Sequence, residues 1–282
     1  MTGLAKLLTD SVVFAESPRW HQSRLWFSDV HDYALKTVDL DGTVRVVAPV
    51  PGRPAGLGVL PDGRMLMATA IEQKLYAVSA AGQMSPIADL SFVAAGLLND
   101  MVVDSMGRAY VGDTGFRPAA GEPYRPGRTW LVVPGAKPEI VAEDVHFPNG
   151  CALSADGRTF YVAETFANRI SRFTVDSDGR LSDRRVHVEL PDAPDGLCLD
   201  AEGALWVALI RAGEFLRIAA GGTVVERLTS PFPLAVTCVL GGPDRRLLFL
   251  CSADTTLERL SSGDSRGRID LAGVPTAGSG FP

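Results

Sequence analysis

The sequence has few of the residues that mark several common classes of protein. Its 282 residues include four cysteines and four histidines, and the cysteines have no C-x-x-C spacing. All four cysteines stand in apolar, strand-like surroundings, so we expect buried reduced thiols, although four cysteines allow three disulfide pairings. The sequence also contains no H-E-x-x-H or G-x-x-x-x-G-K-[ST] motif. Nothing therefore indicates a zinc-protease helix or a phosphate-binding loop.

Long apolar runs and dense basic runs are also missing. No stretch approaches 18 apolar residues, and residues 1–13 lack the apolar core of a signal peptide. The formal net charge is −6, with no block of five or six Lys or Arg. We therefore expect neither a nucleic-acid nor a membrane partner, and we expect a cytoplasmic protein.

What the sequence does contain is a repeat. Six segments share a turn followed by a short strand with a large apolar residue at its centre, and these centres are Trp26, Leu66, Tyr110, Tyr161, Trp206 and Phe249. The centres lie 40 to 51 residues apart, which is the length of a β-propeller blade. Short alternating or apolar runs flank each centre. We predict an all-β fold with one domain over residues 1–282, a six-bladed β-propeller with four antiparallel strands per blade.

The two ends of the chain fit a closed ring. The sixth unit ends near residues 267–272, one strand short of four, while residues 3–8 (GLAKLL) have no local partner. We therefore expect the N-terminal segment to supply the outer strand of the last blade.

Polar residues recur at one position of the repeat. Ten to twelve residues before the centre, four of the six units carry an acid or amide: Glu16, Asn99, Asn149 and Asp195. The chain has only three asparagines, and two of them are here. Each short motif alone, such as Pro-Asn-Gly, is an ordinary turn sequence. Because the innermost strands of a propeller converge on its axis, four in register predict a cluster of oxygen donors instead.

Such a cluster suits one divalent cation. Two unpaired carboxylates in a narrow channel repel each other, and a cation relieves that repulsion. Oxygen donors favour Ca²⁺, Mg²⁺ or Mn²⁺, although carboxylates also accept Zn²⁺.

The segments around these positions resemble a known family. Glu16-Ser-Pro-Arg-Trp, Asn99-Asp-Met-Val-Val-Asp, Phe147-Pro-Asn-Gly and Pro194-Asp-Gly-Leu-Cys-Leu-Asp are similar to signature segments of the gluconolactonase/regucalcin (senescence marker protein-like) family. The resemblance implies a six-bladed propeller with one central divalent metal that hydrolyses lactones. It also implies that Glu16, Asn149 and Asp195 are metal ligands. Asn99 would be a fourth ligand or would contact metal-bound water and substrate.

One position departs from that pattern. Sugar-lactone hydrolases of the family often carry an arginine two residues before the asparagine of the third unit, where it meets substrate hydroxyls. This chain has Leu97 there. Because leucine cannot hydrogen-bond a polyol, we expect a less polar lactone or an aryl ester as the small-molecule substrate.

The chemistry and the rim of the site complete the prediction. We assign Asp195 as both ligand and general base; Glu16 as the base, or water activated by the cation without a separate base, are alternatives. Antiparallel connectivity brings other loop residues to the same face, and we expect substrate contacts from His31, Phe116, His146 and Phe166.

Two other functions are compatible with the same pattern. A calcium-dependent phosphotriesterase of this architecture resembles the chain in placing Glu, Asn, Asn and Asp around its cation. A non-catalytic propeller that binds a partner is the other alternative, and it would need no polar register at its axis.

Overall fold

The computed structural model describes residues 5–260 and 262–280, which form six four-stranded antiparallel sheets. Strand β1 (Lys6–Val12) comes first along the chain. Blade 1 contains β2 (Ala15–His21), β3 (Arg24–Asp29), β4 (Ala34–Val38) and β5 (Val44–Pro49). Blade 2 contains β6 (Pro54–Val59), β7 (Met65–Thr69), β8 (Lys74–Val78) and β9 (Met84–Asp89). Blade 3 contains β10 (Leu98–Val103), β11 (Ala109–Asp113), β12 (Gly127–Val132) and β13 (Glu139–Val145).

The second half of the ring repeats this plan. Blade 4 contains β14 (Pro148–Leu153), β15 (Thr159–Glu164), β16 (Arg169–Val175) and β17 (Leu181–Glu189). Blade 5 contains β18 (Pro194–Leu199), β19 (Leu205–Leu209), β20 (Glu214–Ile218) and β21 (Val224–Thr229). Blade 6 contains β22 (Leu234–Gly241), β23 (Leu247–Asp254) and β24 (Arg266–Gly273). One short helix, α1 (Leu257–Leu260), and single 3₁₀ turns at Pro118–Ala120 and Thr165–Ala167 interrupt the loops.

The predicted closure of the ring is confirmed. Strand β1 pairs antiparallel with β24, with Lys6 opposite Leu271 and Val12 opposite Gly267, so the last sheet runs β1-β24-β23-β22. Gly3 and Leu4, which we also expected in this strand, lie outside the described residues. Pairing the start of the chain with its last blade removes an unpaired sheet edge.

The large residues at the centre of each repeat occupy the second strand of each blade. Trp206, Tyr110 and Phe249 are among the largest fully buried side chains. They pack between neighbouring sheets, and burial of each contributes roughly 3 kcal/mol to folding. The predicted six-bladed propeller is therefore confirmed. In the described part of the chain, no helix is long and apolar enough to cross a membrane, and all four cysteines are free.

The innermost strands contact one another in a closed ring, from β2 through β6, β10, β14, β18 and β22 back to β2. Small residues allow this close approach. A Cβ at Gly150 would lie 2.6 Å from the backbone oxygen of Asp195 and 2.5 Å from the nitrogen of Leu197. Any larger residue would push blades 4 and 5 apart. Glycine is therefore required where β14 meets β18.

Candidate active site in the central cavity

A cavity of about 820 Å³ lies at one end of the innermost strands. The four predicted donors line it, each as the second residue of its strand: Glu16 in β2, Asn99 in β10, Asn149 in β14 and Asp195 in β18. Because each donor has the same register in its blade, the ring brings together residues that lie up to 179 positions apart in the sequence. The structure thus gathers all four predicted ligands at one cavity.

Hydrogen bonds determine the orientation of the Asn99 and Asn149 side-chain amides. The Asn99 Nδ2 donates to the carbonyl oxygen of Pro148 at 3.0 Å, an atom that can only accept. The Thr165 hydroxyl donates to the carbonyl of Pro194 at 2.8 Å, so it can only accept from the Asn149 Nδ2 at 3.2 Å. Both amide nitrogens are therefore engaged by neighbouring groups. Their Oδ1 atoms remain available as acceptors.

Asp195 contributes a carboxylate oxygen with no protein partner. The side chain is 2% exposed, and its Oδ1 is buried with no hydrogen-bond donor among the described residues. Leaving a buried carboxylate oxygen unsatisfied costs about 1–3 kcal/mol or more. A buried carboxylate oxygen of this kind is available as a ligand for a cation.

The pKa values of the Glu16 and Asp195 carboxyl groups are both raised by their surroundings. Burial, followed by the nearby carboxylates of Asp195 and Asp100, raises the pKa of Glu16 well above its usual range, although the Ser17 N–H and Arg53 oppose this. Burial and the charge of Asp100 likewise raise the pKa of Asp195, with a partial opposing effect of the Asn149 amide. The site therefore holds excess negative charge until protons or a cation neutralise it.

The donor set fits a hard divalent cation only if amide oxygens take part. In residues 5–260 and 262–280, no three His, Cys, Asp or Glu side chains form a group that could hold a metal by themselves. Two carboxylates and two amide oxygens supply four oxygen donors, the type that Ca²⁺, Mg²⁺ and Mn²⁺ prefer.

An ion pair that the sequence did not predict crosses the axis beside these donors. The Arg19 Nη2 contacts the Asp100 Oδ1 at 3.0 Å, and both side chains are about 6% exposed. The same Asp100 oxygen accepts the N–H of Met101 at 2.8 Å, while the Arg19 Nη1 donates to the Pro18 carbonyl at 2.8 Å. Asp100 is thus neutralised by Arg19. Both residues lie inside the motifs that carried the resemblance, but their pairing depends on blades 1 and 3, which are not neighbours, meeting near the axis.

Three of the predicted rim residues line the cavity, namely Leu97, His31 and Phe166. The imidazole of His31 stacks on Phe14 with centroids 5.1 Å apart. Burial, with a contribution from the Arg53 charge, lowers its pKa below the usual range. His31 is therefore held as a neutral ring beside the donors at neutral pH.

Phe116 and His146, also predicted to contact substrate, stand behind this surface and are not part of the lining that the described residues form. Phe116 is 4% exposed and packs edge-on against Phe166, with centroids 5.7 Å apart. His146 stacks on Tyr124 with centroids 6.1 Å apart, and a hydrogen bond joins its Nδ1 and the Tyr124 hydroxyl. These two residues support the rim.

The lining also contains a cation that the sequence did not single out. Arg53 immediately precedes the innermost strand of blade 2, one of the two blades without an acid or amide in the register, where Pro54 and Ala55 stand instead. The sequence does place an arginine directly before the innermost strand of blade 2. No local pattern indicates, however, that its side chain faces the cavity.

Comparison with known proteins finds lactonases among the relatives of this chain. A pentonolactonase from Haloferax volcanii is 25% identical over 95% of this chain and 94% of its own length. A 6-deoxy-6-sulfogluconolactonase from Pseudomonas putida is 26% identical over 95% of this chain and 90% of its own length. The crystal structure of a calcium-binding regucalcin from Agrobacterium tumefaciens, 22% identical, superposes with a TM-score of 0.84 over 98% of this chain and 95% of the other, which establishes the same fold.

The family model described as "SMP-30/Gluconolactonase/LRE-like region" matches residues 14–254. That range begins just before Glu16, ends at the last residue of β23 and contains all four donors. The axial oxygen cluster and every strand except β1 and β24 lie within the matched region, and the chain belongs to the SMP-30/gluconolactonase/LRE-like family.

Proposed function

We propose that this protein is a metal-dependent hydrolase that opens a lactone less polar than a sugar aldonolactone. The observation that carries the proposal is the convergence of Glu16, Asn99, Asn149 and Asp195 on one cavity, with a buried Asp195 oxygen that has no donor among the described residues. A purely structural cluster would be expected to satisfy that oxygen. Two relatives bear lactonase names, which supports hydrolysis of a cyclic ester.

A divalent cation would be held by Glu16, Asn149 and Asp195, with Asn99 as a fourth ligand or as a contact to water and substrate. Such a cation, when bound, polarises a carbonyl and stabilises negative charge that develops on its oxygen. The regucalcin neighbour described as calcium-binding supports calcium as the first metal to test, with Mg²⁺, Mn²⁺ and Zn²⁺ as alternatives.

Asp195 is the proposed general base. A carboxylate has two oxygens, so one can serve as a ligand while the other accepts a proton from the attacking water. The proton then passes to the ring oxygen as the ester bond breaks, which yields a hydroxy acid. The low exposure of Asp195 keeps bulk water from competing for this proton.

Apolar side chains favour a substrate with few hydroxyl groups. Leu97 lines the cavity, and its backbone is fixed by an N–H to the Thr114 hydroxyl at 2.8 Å. Phe147 and Phe166 also line it and stack in parallel, with centroids 4.7 Å apart. Both named relatives are sugar lactonases, so substrate polarity is the feature in which this chain would differ from them.

The test is a lactone panel after metal removal and add-back. We expect γ- and δ-lactones and aryl lactones to be opened only with a divalent cation, and Asp195→Asn to reduce kcat by at least about 100-fold. Asp192→Asn is the matched control, because Asp192 is ion-paired with Arg211 at 2.8 Å and lies three residues away. Turnover that survives chelation, or an Asp195→Asn variant as active as the control, would contradict the proposal. Preferential hydrolysis of an organophosphate would favour the phosphotriesterase alternative.

A further inference from the structure

Arg53 is aimed at the cavity by a fixed backbone. It adopts a left-handed conformation with φ of 63°, which costs a non-glycine residue about 1–2 kcal/mol. Two hydrogen bonds hold that conformation: its N–H donates to the Val50 carbonyl at 3.1 Å, and its carbonyl accepts the Ala70 N–H at 2.8 Å. The side chain lines the cavity together with Glu16 and Asn99.

The Arg53 guanidinium has no counterion of its own. Its Nε is buried without a hydrogen-bond partner, and no carboxylate in residues 5–260 or 262–280 lies within 4 Å of the group. Other cations near the axis are paired: Arg19 with Asp100, and Arg211 at the rim with Asp192. A half-buried cation left alone in this way is unfavourable unless a ligand pairs with it.

Arg53 differs from the other charged groups near the axis. A divalent cation would neutralise Glu16 and Asp195, and Arg19 already neutralises Asp100. Glu258 also lines the cavity, so the lining has no excess positive charge, and the local feature is the buried Arg53 Nε without a partner among the described residues. A carboxylate on the substrate would satisfy that group, whereas a neutral lactone would leave the guanidinium desolvated and unpaired.

We infer that the substrate is a lactone that carries a carboxylate group, and that Arg53 is the residue that selects it. The planar guanidinium binds a carboxylate through two parallel N–H···O bonds, a geometry that a neutral amide or ester cannot match. The inference rests on the proposed lactonase function and refines its substrate: the ring has few hydroxyl groups, as Leu97 favours, and carries one charged group that faces Arg53. It also explains why blade 2 has an arginine where four other blades supply acceptors.

A matched pair of lactones tests this selection. γ-Butyrolactone-γ-carboxylate and its neutral carboxamide have the same size and differ in charge. We expect the wild type to prefer the acid, and we expect the ratio of the two kcat/KM values to fall roughly 30-fold in Arg53→Met and less in Arg53→Lys. Arg45→Met is the matched control, because Arg45 is ion-paired with Asp39 and is not part of the described cavity lining, and its ratio should stay within about threefold of the wild type. Equal losses on both substrates, or no preference in the wild type, would overturn the inference while leaving lactone hydrolysis intact.

Binding provides a readout that does not depend on turnover. Isothermal titration of cyclopentanecarboxylate into the protein in calcium buffer should show binding that Arg53→Met weakens roughly 30-fold. Cyclopentanecarboxamide should bind weakly to both proteins. If the protein opens no lactone but binds the carboxylate through Arg53, the proposed function fails and anion selection stands. If the carboxylate binds equally to wild type and Arg53→Met, the selection is wrong.

Discussion

The Asp113 carboxylate accepts the N–H of Gly96 at 2.7 Å, three residues before Asn99. Blade 1 repeats the relationship, since Asp29 accepts the N–H of Phe14 at 2.8 Å, two residues before Glu16. In blade 4, Glu164 accepts the His146 N–H at 2.9 Å, three residues before Asn149. An acid that ends the second strand thus anchors the segment that leads to a candidate ligand.

Removing one such anchor should affect both stability and the site. The Asp113 carboxylate also accepts from Ala95 N–H at 2.9 Å and from the Trp130 Nε1 at 3.2 Å. We expect Asp113→Asn to lower the free energy of unfolding by about 3 kcal/mol, since its amide nitrogen faces donors. It should also weaken calcium binding. Asp156→Asn, at an exposed turn, is the control in urea unfolding and should cost less than about 1 kcal/mol. Equal effects of the two changes would contradict the anchoring role.

Glu164 predicts an acid-dependent loss of stability. Burial alone would raise its pKa, but hydrogen bonds from Arg169, the His146 N–H, Ser171 and Arg184 lower that pKa to about 2. A carboxyl whose folded pKa lies below its unfolded value, about 4.3, stabilises the fold above that value and stops doing so as pH falls through about 2. The unfolding free energies of wild type and Glu164→Gln should therefore differ most near pH 6 and converge towards pH 2. A difference that does not change with pH would contradict this assignment.

Without a metal, Glu16 and Asp195 predict the opposite pH dependence of stability from Glu164: stability that is lost as pH rises. Because the folded pKa values of Glu16 and Asp195 are raised, their protonated forms favour the folded state. In EDTA, stability from this pair should be lost as pH rises above about 4 towards the raised values. Calcium should restore the Tm at neutral pH, because the cation replaces the protons. Asp195→Asn should flatten the decline; an unchanged decline in that variant would place its origin elsewhere.

The side chain of Leu97 predicts a preference for lactones with few hydroxyl groups. Replacing it with arginine introduces donors at a cavity-lining position. We expect Leu97→Arg to raise kcat/KM for a polyhydroxylated aldonolactone about tenfold relative to an unsubstituted γ-lactone, as several new hydrogen bonds form. Leu97→Ile controls for packing and should leave the ratio as it is. A wild-type preference for the aldonolactone would show that the leucine does not select against hydroxyl groups.

The exposed aromatic ring at the rim predicts affinity for aryl substrates. Phe166 is 53% exposed and stacks on Phe147. We expect Phe166→Ala to raise KM for an aryl lactone about fivefold through loss of stacking, with a smaller effect on an aliphatic lactone. Phe92→Ala removes a ring that is 91% exposed and is not part of the described cavity lining, and serves as the control. Equal KM values for the two variants would exclude substrate contact by Phe166.

The rim shows where prediction from the sequence stops. His31 and Phe166 were expected at the cavity and line it, whereas Phe116 and His146 were expected there and lie behind it. Strand connectivity brings a loop to the correct face. It does not determine which side chain of that loop faces the cavity, because Tyr124, from the loop between β11 and β12, packs against Phe166 and His146, which belong to two other loops.

The sequence by itself determined the repeat, the six blades and the register of Glu16, Asn99, Asn149 and Asp195, because strand period and turn composition are local properties. Only the tertiary structure decided the orientation of the two amides, the Arg19–Asp100 ion pair across 81 residues and the solitary charge of Arg53. Those features arise when the ring closes, since contacts between blades depend on which distant strands become neighbours. The register of a residue in its strand follows from its position in the repeat, whereas the charge balance of the site depends on every charged group around the axis.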